Sequence, residues 1–178
     1  LNTRTVSSML ASGKAANEAG IPVVLDPVGA GASALRNETT QMLIDEVKLS
    51  VLRGNLSEIR FISGLASNTK GVDAAEEDMR DGLESSVQMA KALAQKLQCT
   101  VAITGAVDIV TDGARVALIH NGHPKLSSIT GTGCMCSSLV GAYCGAGSDA
   151  FVAAAAGIAS MGIAGEIAYE RAGQIGNG

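Results

Sequence analysis

Three short, continuous apolar runs set the strongest limit on how this chain folds: IPVVLDPVG at 21–29, SVLRGN at 50–55 and CTVAITG at 99–105. The first two lie between segments with helical spacing and the third follows one, and they end on Asp-Pro, Gly-Asn and Thr-Gly. Runs of that length between helices read as strands buried on both faces, the pattern of a parallel sheet covered above and below. Helices are predicted over 4–19, with Val6, Met9, Leu10 and Ala16 on or near one face and Gly20 as the stop, and over 34–47, with Leu35, Met42, Leu43 and Val47 facing inward. Helices are also predicted over 55–63, where Asn55 and Glu58 have capping-box spacing, and over 83–98. Asp112-Gly113, within 108–122, is the strongest hairpin signal. Two Ala- and Gly-rich helices are predicted from Gly133 onward, the second capped by Asp149. The alternation predicts an α/β fold with helices on both faces of the sheet, and 178 residues suit one domain.

Composition narrows the function classes. An apolar content of 47% argues for a buried core and against disorder. With no Trp, two Tyr and two Phe, that core is built from aliphatic and small side chains. Net charge is −4 with no basic block, which points away from nucleic acid and from anionic membranes as partners. The four cysteines, Cys99, Cys134, Cys136 and Cys144, are unevenly spaced and mostly flanked by apolar residues, as expected of reduced thiols in a cytoplasmic protein. The stretch 151–169 is long enough to raise the question of a membrane, but its Ala and Gly content and Glu166 favour a buried helix.

In open α/β sheets ligands collect at the carboxyl ends of the strands. Asp26, Arg53, Asn55, Glu58 and Thr104 all fall there on this reading. Asp26 suits a magnesium ion that keeps its waters; Glu58 fits either a cap or a metal shell; Arg53 suits a phosphate or a plain surface position. The turns TKGVD (69–73) and AITGAVD (102–108) are weaker candidates for a nucleotide pocket. In ITGTGC, at 129–134, two glycines allow successive amides to point into one concavity at a helix start. The plain alternative is a tight turn with no ligand. Cys134 would sit in the first helical turn, where thiolate is favoured. Its spacing to Cys136 and Cys144 lacks the Cys-x2-Cys pairs of zinc sites.

DPVGAGAS (26–33), RGNLSEI (53–59), KGVD (70–73), ITGAVDIVTDG (103–113) and NGHPKLSSITGTGCMCSSLVGA (121–142) occur in this order. Together they resemble the hydroxyethylthiazole kinases, of the ribokinase-like superfamily, over essentially the whole chain. Most of that superfamily carries aspartate after the glycine turn; the thiazole kinases carry cysteine, as at Cys134. The resemblance implies a three-layer ribokinase-like fold, a mostly parallel sheet flanked by helices, forming one domain over 1–178 or part of one. It implies transfer of the γ-phosphoryl group of ATP to the hydroxyl of 4-methyl-5-(2-hydroxyethyl)thiazole in thiamine salvage. On this resemblance Cys134 is the catalytic base, Gly131, Thr132 and Gly133 form the anion hole, and the Gly131 backbone touches substrate. Arg53 and Thr104 contact nucleotide, and Asp26 and Glu58 organise Mg2+ through its waters. The partners implied are ATP, the thiazole alcohol and two further copies in a homotrimer, with the thiazole site at subunit interfaces.

Family members start before the position matching Leu1 and continue past Gly178. The resemblance therefore implies that these residues carry the ATP half of the site and little of the acceptor wall. A polypeptide of these residues alone is expected to bind nucleotide weakly and turn over little. The alternatives are a related pyrimidine or sugar kinase and a non-catalytic nucleotide-binding module.

Overall fold

The predicted strands pair side by side. β1 (Val24–Leu25), β2 (Val51–Asn55) and β3 (Thr100–Thr104) run parallel, with Val24 opposite Val51 and Arg53 opposite Ala102. β4 (Asp108–Thr111) and β5 (Val116–Ile119) continue the sheet antiparallel, in the order β1-β2-β3-β4-β5. The sheet is therefore mixed: the Asp112-Gly113 turn forms the expected hairpin, and Gly113 takes a φ of 93° there. The computed structural model describes residues 1–66, 79–147 and 149–172, so the TKGVD turn at 69–73 lies outside the described residues.

Helices α1 (Thr3–Glu18), α2 (Ala34–Glu46), α3 (Leu56–Ala66) and α4 (Met79–Leu97) cover one face. Their Met9, Leu10, Leu43, Ile59, Ile62 and Leu93 meet Leu25, Leu52, Val101, Ile103 and Ile109 of the strands. On the other face, α5 (Thr132–Ala146) and α6 (Ala150–Ala172) bring Cys136, Val140, Cys144, Ala154 and Ile158 onto Val51, Ala102 and Val110. Alternate residues of β2 and β3 thus enter opposite cores, which is why these strands read as unbroken apolar runs. The result is three layers.

Local signals behave as their chemistry requires. Asn55 Oδ1 accepts the Glu58 N–H at 2.9 Å while Glu58 Oε2 accepts the Asn55 N–H at 2.9 Å, a complete capping box at the start of α3. Asp149 caps α6 through the N–H groups of Phe151 and Val152. Gly20 ends the α1 segment with a φ of 67°.

Three expectations need correction. Leu35 and Met42 of α2 are exposed; the buried stripe is Thr39, Thr40 and Leu43, followed by Val47. Leu35 lies in the first turn, and Met42 is rotated about 100° from Leu43 around the helix. β1 is shorter than its apolar run, since Pro22 and Pro27 cannot donate to a ladder and Ile21 is exposed. α6 is long and apolar enough to cross a membrane but is not buried all round. Its Ala153, Ala154, Gly157, Ile158, Gly162 and Gly165 pack inward while Val152, Ile163 and Ile167 are exposed.

Candidate active site

The carboxyl ends of β1, β2 and β3 point at the N-terminus of α5, and Arg53 connects them. Arg53 lies within β2, not after it, on the side that faces α5, and is 9% exposed. Its Nη2 donates to Thr104 Oγ1 at 2.6 Å. Its Nη1 donates to Asp26 Oδ2 at 3.1 Å and to the Gly133 carbonyl at 3.3 Å. Four residues expected at the site, Asp26, Arg53, Thr104 and Gly133, thus form one connected group. A buried guanidinium needs a carboxylate and several acceptors around it, and these supply both. The Arg53 Nε donor is buried and has no hydrogen-bond partner among the described residues.

Gly131 precedes α5 with a φ of 94°, a left-handed conformation that glycine adopts without strain. Among the described residues no side chain caps this helix, and the first helical amide bond is Met135 N–H to the Gly131 carbonyl. The amides of Thr132, Gly133 and Cys134 therefore remain outside the helix's own bonding, at the positive end of its dipole. Gly133 lets the guanidinium come close: a Cβ there would lie 3.1 Å from Arg53 Nη1, and the arginine would have to shift. Thr132 Oγ1 donates to the Leu126 carbonyl at 3.0 Å, tying the helix start to the preceding 3-10 turn, Pro124–Ser128. Cys134 is exposed in the first turn of α5, whereas Cys136 and Cys144 are buried in the core, as expected.

Glu58 performs its capping role and one more. While Oε2 closes the capping box, Oε1 accepts the Gly29 N–H at 2.8 Å, bracing the loop that begins at Asp26. Gly54 permits the approach, since a Cβ there would meet Glu58 Oε2 at 3.1 Å. Glu58 is buried, and the described contacts join it to Asp26 through that loop and not directly.

A cavity of about 640 Å³ opens beside Arg53, Thr104, Thr132 and Gly133. It runs along the Gly105–Asp108 turn and then between Asn121–Leu126 and the Ile158–Gly162 stretch of α6. The AITGAVD turn at 102–108 therefore does line a pocket. Within that turn one polar residue faces the pocket, and another polar group at the site, Ser137, escaped the sequence reading. Asp108 lines the cavity; burial raises its pKa, opposed by the Gly105 N–H and by Arg53. Ser137 Oγ donates to Asp26 Oδ2 at 2.7 Å. Asp108 follows a strand end by only a few residues, which is why its turn was already a candidate, but nothing local marks Ser137.

The hydroxyethylthiazole kinase family model matches residues 1–177. A hydroxyethylthiazole kinase from Clostridium beijerinckii is 65% identical over 178 residues, 100% of this chain and 64% of that protein. One from Ruminiclostridium cellulolyticum is 60% identical with the same coverage. Among solved structures, the hydroxyethylthiazole kinase of Pyrococcus horikoshii OT3 superposes with a TM-score of 0.85 at 36% identity, covering 97% of this chain and 62% of that one. A Bacillus subtilis pyridoxal kinase in complex with ADP, at 24% identity and a TM-score of 0.57 over 85% of this chain and 56% of its own, shares the fold. The chain spans about 64% of the length of these first two relatives. On its family match, its fold and the similarity of all its residues to part of named members, the chain belongs to the hydroxyethylthiazole kinase family.

Proposed function

We propose that the protein containing this chain is an ATP-dependent kinase acting on the primary hydroxyl of 4-methyl-5-(2-hydroxyethyl)thiazole, a thiamine-salvage reaction in the cytoplasm. The observation that carries this reading is the meeting of Arg53 with the uncapped start of α5 beside one cavity. Phosphoryl transfer asks a protein mainly for positioning and charge stabilisation. Arg53 and Thr104 hold the nucleotide phosphates, the guanidinium offering the charge and the fork of donors that suit phosphate oxygens. The Gly131, Thr132 and Gly133 turn receives the transferring group on its free amides, with the Gly131 backbone against the acceptor.

In the step itself, the alcohol oxygen bonds to the γ-phosphorus as the bridge to the β-phosphate breaks. ADP leaves with that electron pair. The hydroxyl proton passes to Cys134 Sγ, which the first turn of α5 holds next to the anion hole.

The donor set fits magnesium. Asp26 and Glu58 offer hard carboxylate oxygens, which suit an ion that prefers oxygen ligands and keeps most of its waters. Asp26 and Glu58 would hold it through those waters. When bound, the ion neutralises charge on the β- and γ-phosphate oxygens. A homotrimer completes the proposal, with the remaining acceptor wall supplied across subunits.

Turnover of ATP with the thiazole alcohol, compared with pyrimidine and sugar alcohols, tests the reading in the full-length protein. Cys134→Ala is expected to lower kcat by about 100-fold, the low end for a positioned proton acceptor. Cys134→Asp is expected to retain or raise it. Equal turnover by wild type and the alanine variant removes Cys134 from the mechanism. Preference for another alcohol overturns the acceptor assignment.

A further inference from the structure

Asp26 accepts two donors on one oxygen. Arg53 Nη1 and Ser137 Oγ both reach Oδ2, at 3.1 Å and 2.7 Å. Among the described residues, no protein donor reaches Oδ1. The serine contact is unusual for its place. A hydroxyl within a helix ordinarily turns back to the carbonyl four residues earlier. The adjacent Ser138 does so, donating to the Cys134 carbonyl at 2.9 Å. Ser137 instead leaves its helix and crosses to the end of the first strand, a span of 111 residues in sequence.

That contact has a specific physical consequence. A carboxylate facing a guanidinium alone can pair through either oxygen or through both. A second donor on Oδ2 removes this degeneracy and leaves Oδ1 as the oxygen open to an outside ligand. The same bond fixes the start of α5. Gly133, four residues before Ser137, is held through its carbonyl by Arg53 at 3.3 Å. The free amides of that turn and the Asp26 carboxylate are thereby held as one unit.

We infer that Ser137 is a positioning residue for the phosphoryl site: it orients Asp26 so that Oδ1 serves the hydration shell of the divalent cation accompanying the nucleotide. The inference rests on the phosphotransfer reading above. Outer partners of this type commonly change metal affinity or activity by about 10- to 100-fold when removed.

The test is a calorimetric titration of the full-length protein with ADP, once in excess Mg2+ and once in chelator. Wild type is compared with Ser137→Ala and Ser137→Thr, with thermal melts recorded alongside. The alanine variant is expected to bind ADP about 10-fold more weakly in Mg2+. Its metal-free ADP affinity should match wild type, and threonine, which keeps the hydroxyl, should restore the metal-dependent gain. Equal weakening in both titrations would mean that Ser137 only docks the helix and would overturn the inference. So would unchanged binding in both. Wild-type protein that shows the metal-dependent, Ser137-dependent binding but does not phosphorylate the thiazole alcohol sinks the acceptor assignment alone. No metal effect on ADP binding by wild type overturns both.

Discussion

At the scale of single residues, Arg53 has the largest consequences. It is an arginine inside an otherwise apolar strand, paired with Asp26 at 3.1 Å where both side chains are largely shielded, 11% and 16% exposed. Removing one member of such a pair leaves the other charge without compensation, which costs far more than the pair itself is worth. Arg53→Ala is expected to destabilise the fold by about 3 kcal/mol in urea unfolding. Arg53→Lys should recover part of this, because it keeps the charge, but it cannot span Thr104, Asp26 and the Gly133 carbonyl together. A lysine variant with normal nucleotide affinity would argue that the fork geometry is irrelevant to the site.

At the scale of elements, the packing of α6 depends on its small residues. A Cβ at Gly157 would lie 2.8 Å from Val140 Cα and 2.9 Å from Val140 N, backbone atoms of α5 that cannot rotate away. Gly157→Ala should therefore separate the two helices and cost about 2 kcal/mol, read from the unfolding midpoint. Gly162 behaves differently. A Cβ there would meet Asn121 Nδ2 at 2.5 Å, displacing the side chain that donates to the Ala159 carbonyl at 2.8 Å. Asn121 and Gly162 both line the cavity. Gly162→Ala should cost about 1 kcal/mol of stability, one hydrogen bond's worth, and weaken nucleotide binding more than Gly157→Ala does. The reverse ranking in a binding assay would place the nucleotide elsewhere.

For the whole molecule, pH sets limits through groups both at the site and away from it. Arg115 of the hairpin binds both oxygens of Asp149, at 2.8 Å and 3.0 Å, and holds its pKa down at about 2. The folded carboxyl stays ionised where an unfolded one takes a proton. This contribution is present above the ordinary carboxylate pKa and is lost as pH falls toward 2. Asp108 runs the other way, since burial raises its pKa and favours its protonated form in the fold. At the alkaline end, burial pushes the Cys99 thiol up to about 11 from 9.0. The unfolded thiol ionises first, so stability falls as pH rises between those values, by up to about 1.4 kcal/mol per pH unit. Unfolding midpoints across pH should show a shallower acid loss in Asp149→Asn and a shallower alkaline loss in Cys99→Ala. Parallel profiles for wild type and both variants would contradict the assignment.

The strand runs, the capping box at Asn55 and Glu58, the hairpin turn and the α6 cap were all legible in the sequence, because each is decided by neighbours within a few residues. The glycine turn before Cys134 was legible for the same reason. The ring of contacts around Arg53 was not. Asp26, Arg53, Thr104 and Ser137 lie 27, 51 and 111 residues apart in their pairings, and only the register of β1, β2 and β3 with α5 laid across them brings the four together. Leu35 and Met42 show the same limit in the core, since apolar spacing gives a helix a face but not the angle at which that face meets the sheet. The sequence by itself determined the elements, their caps and the family. The tertiary structure alone decided which polar groups share a buried site, because burial and long-range hydrogen bonding are properties of packed surfaces and not of neighbouring residues.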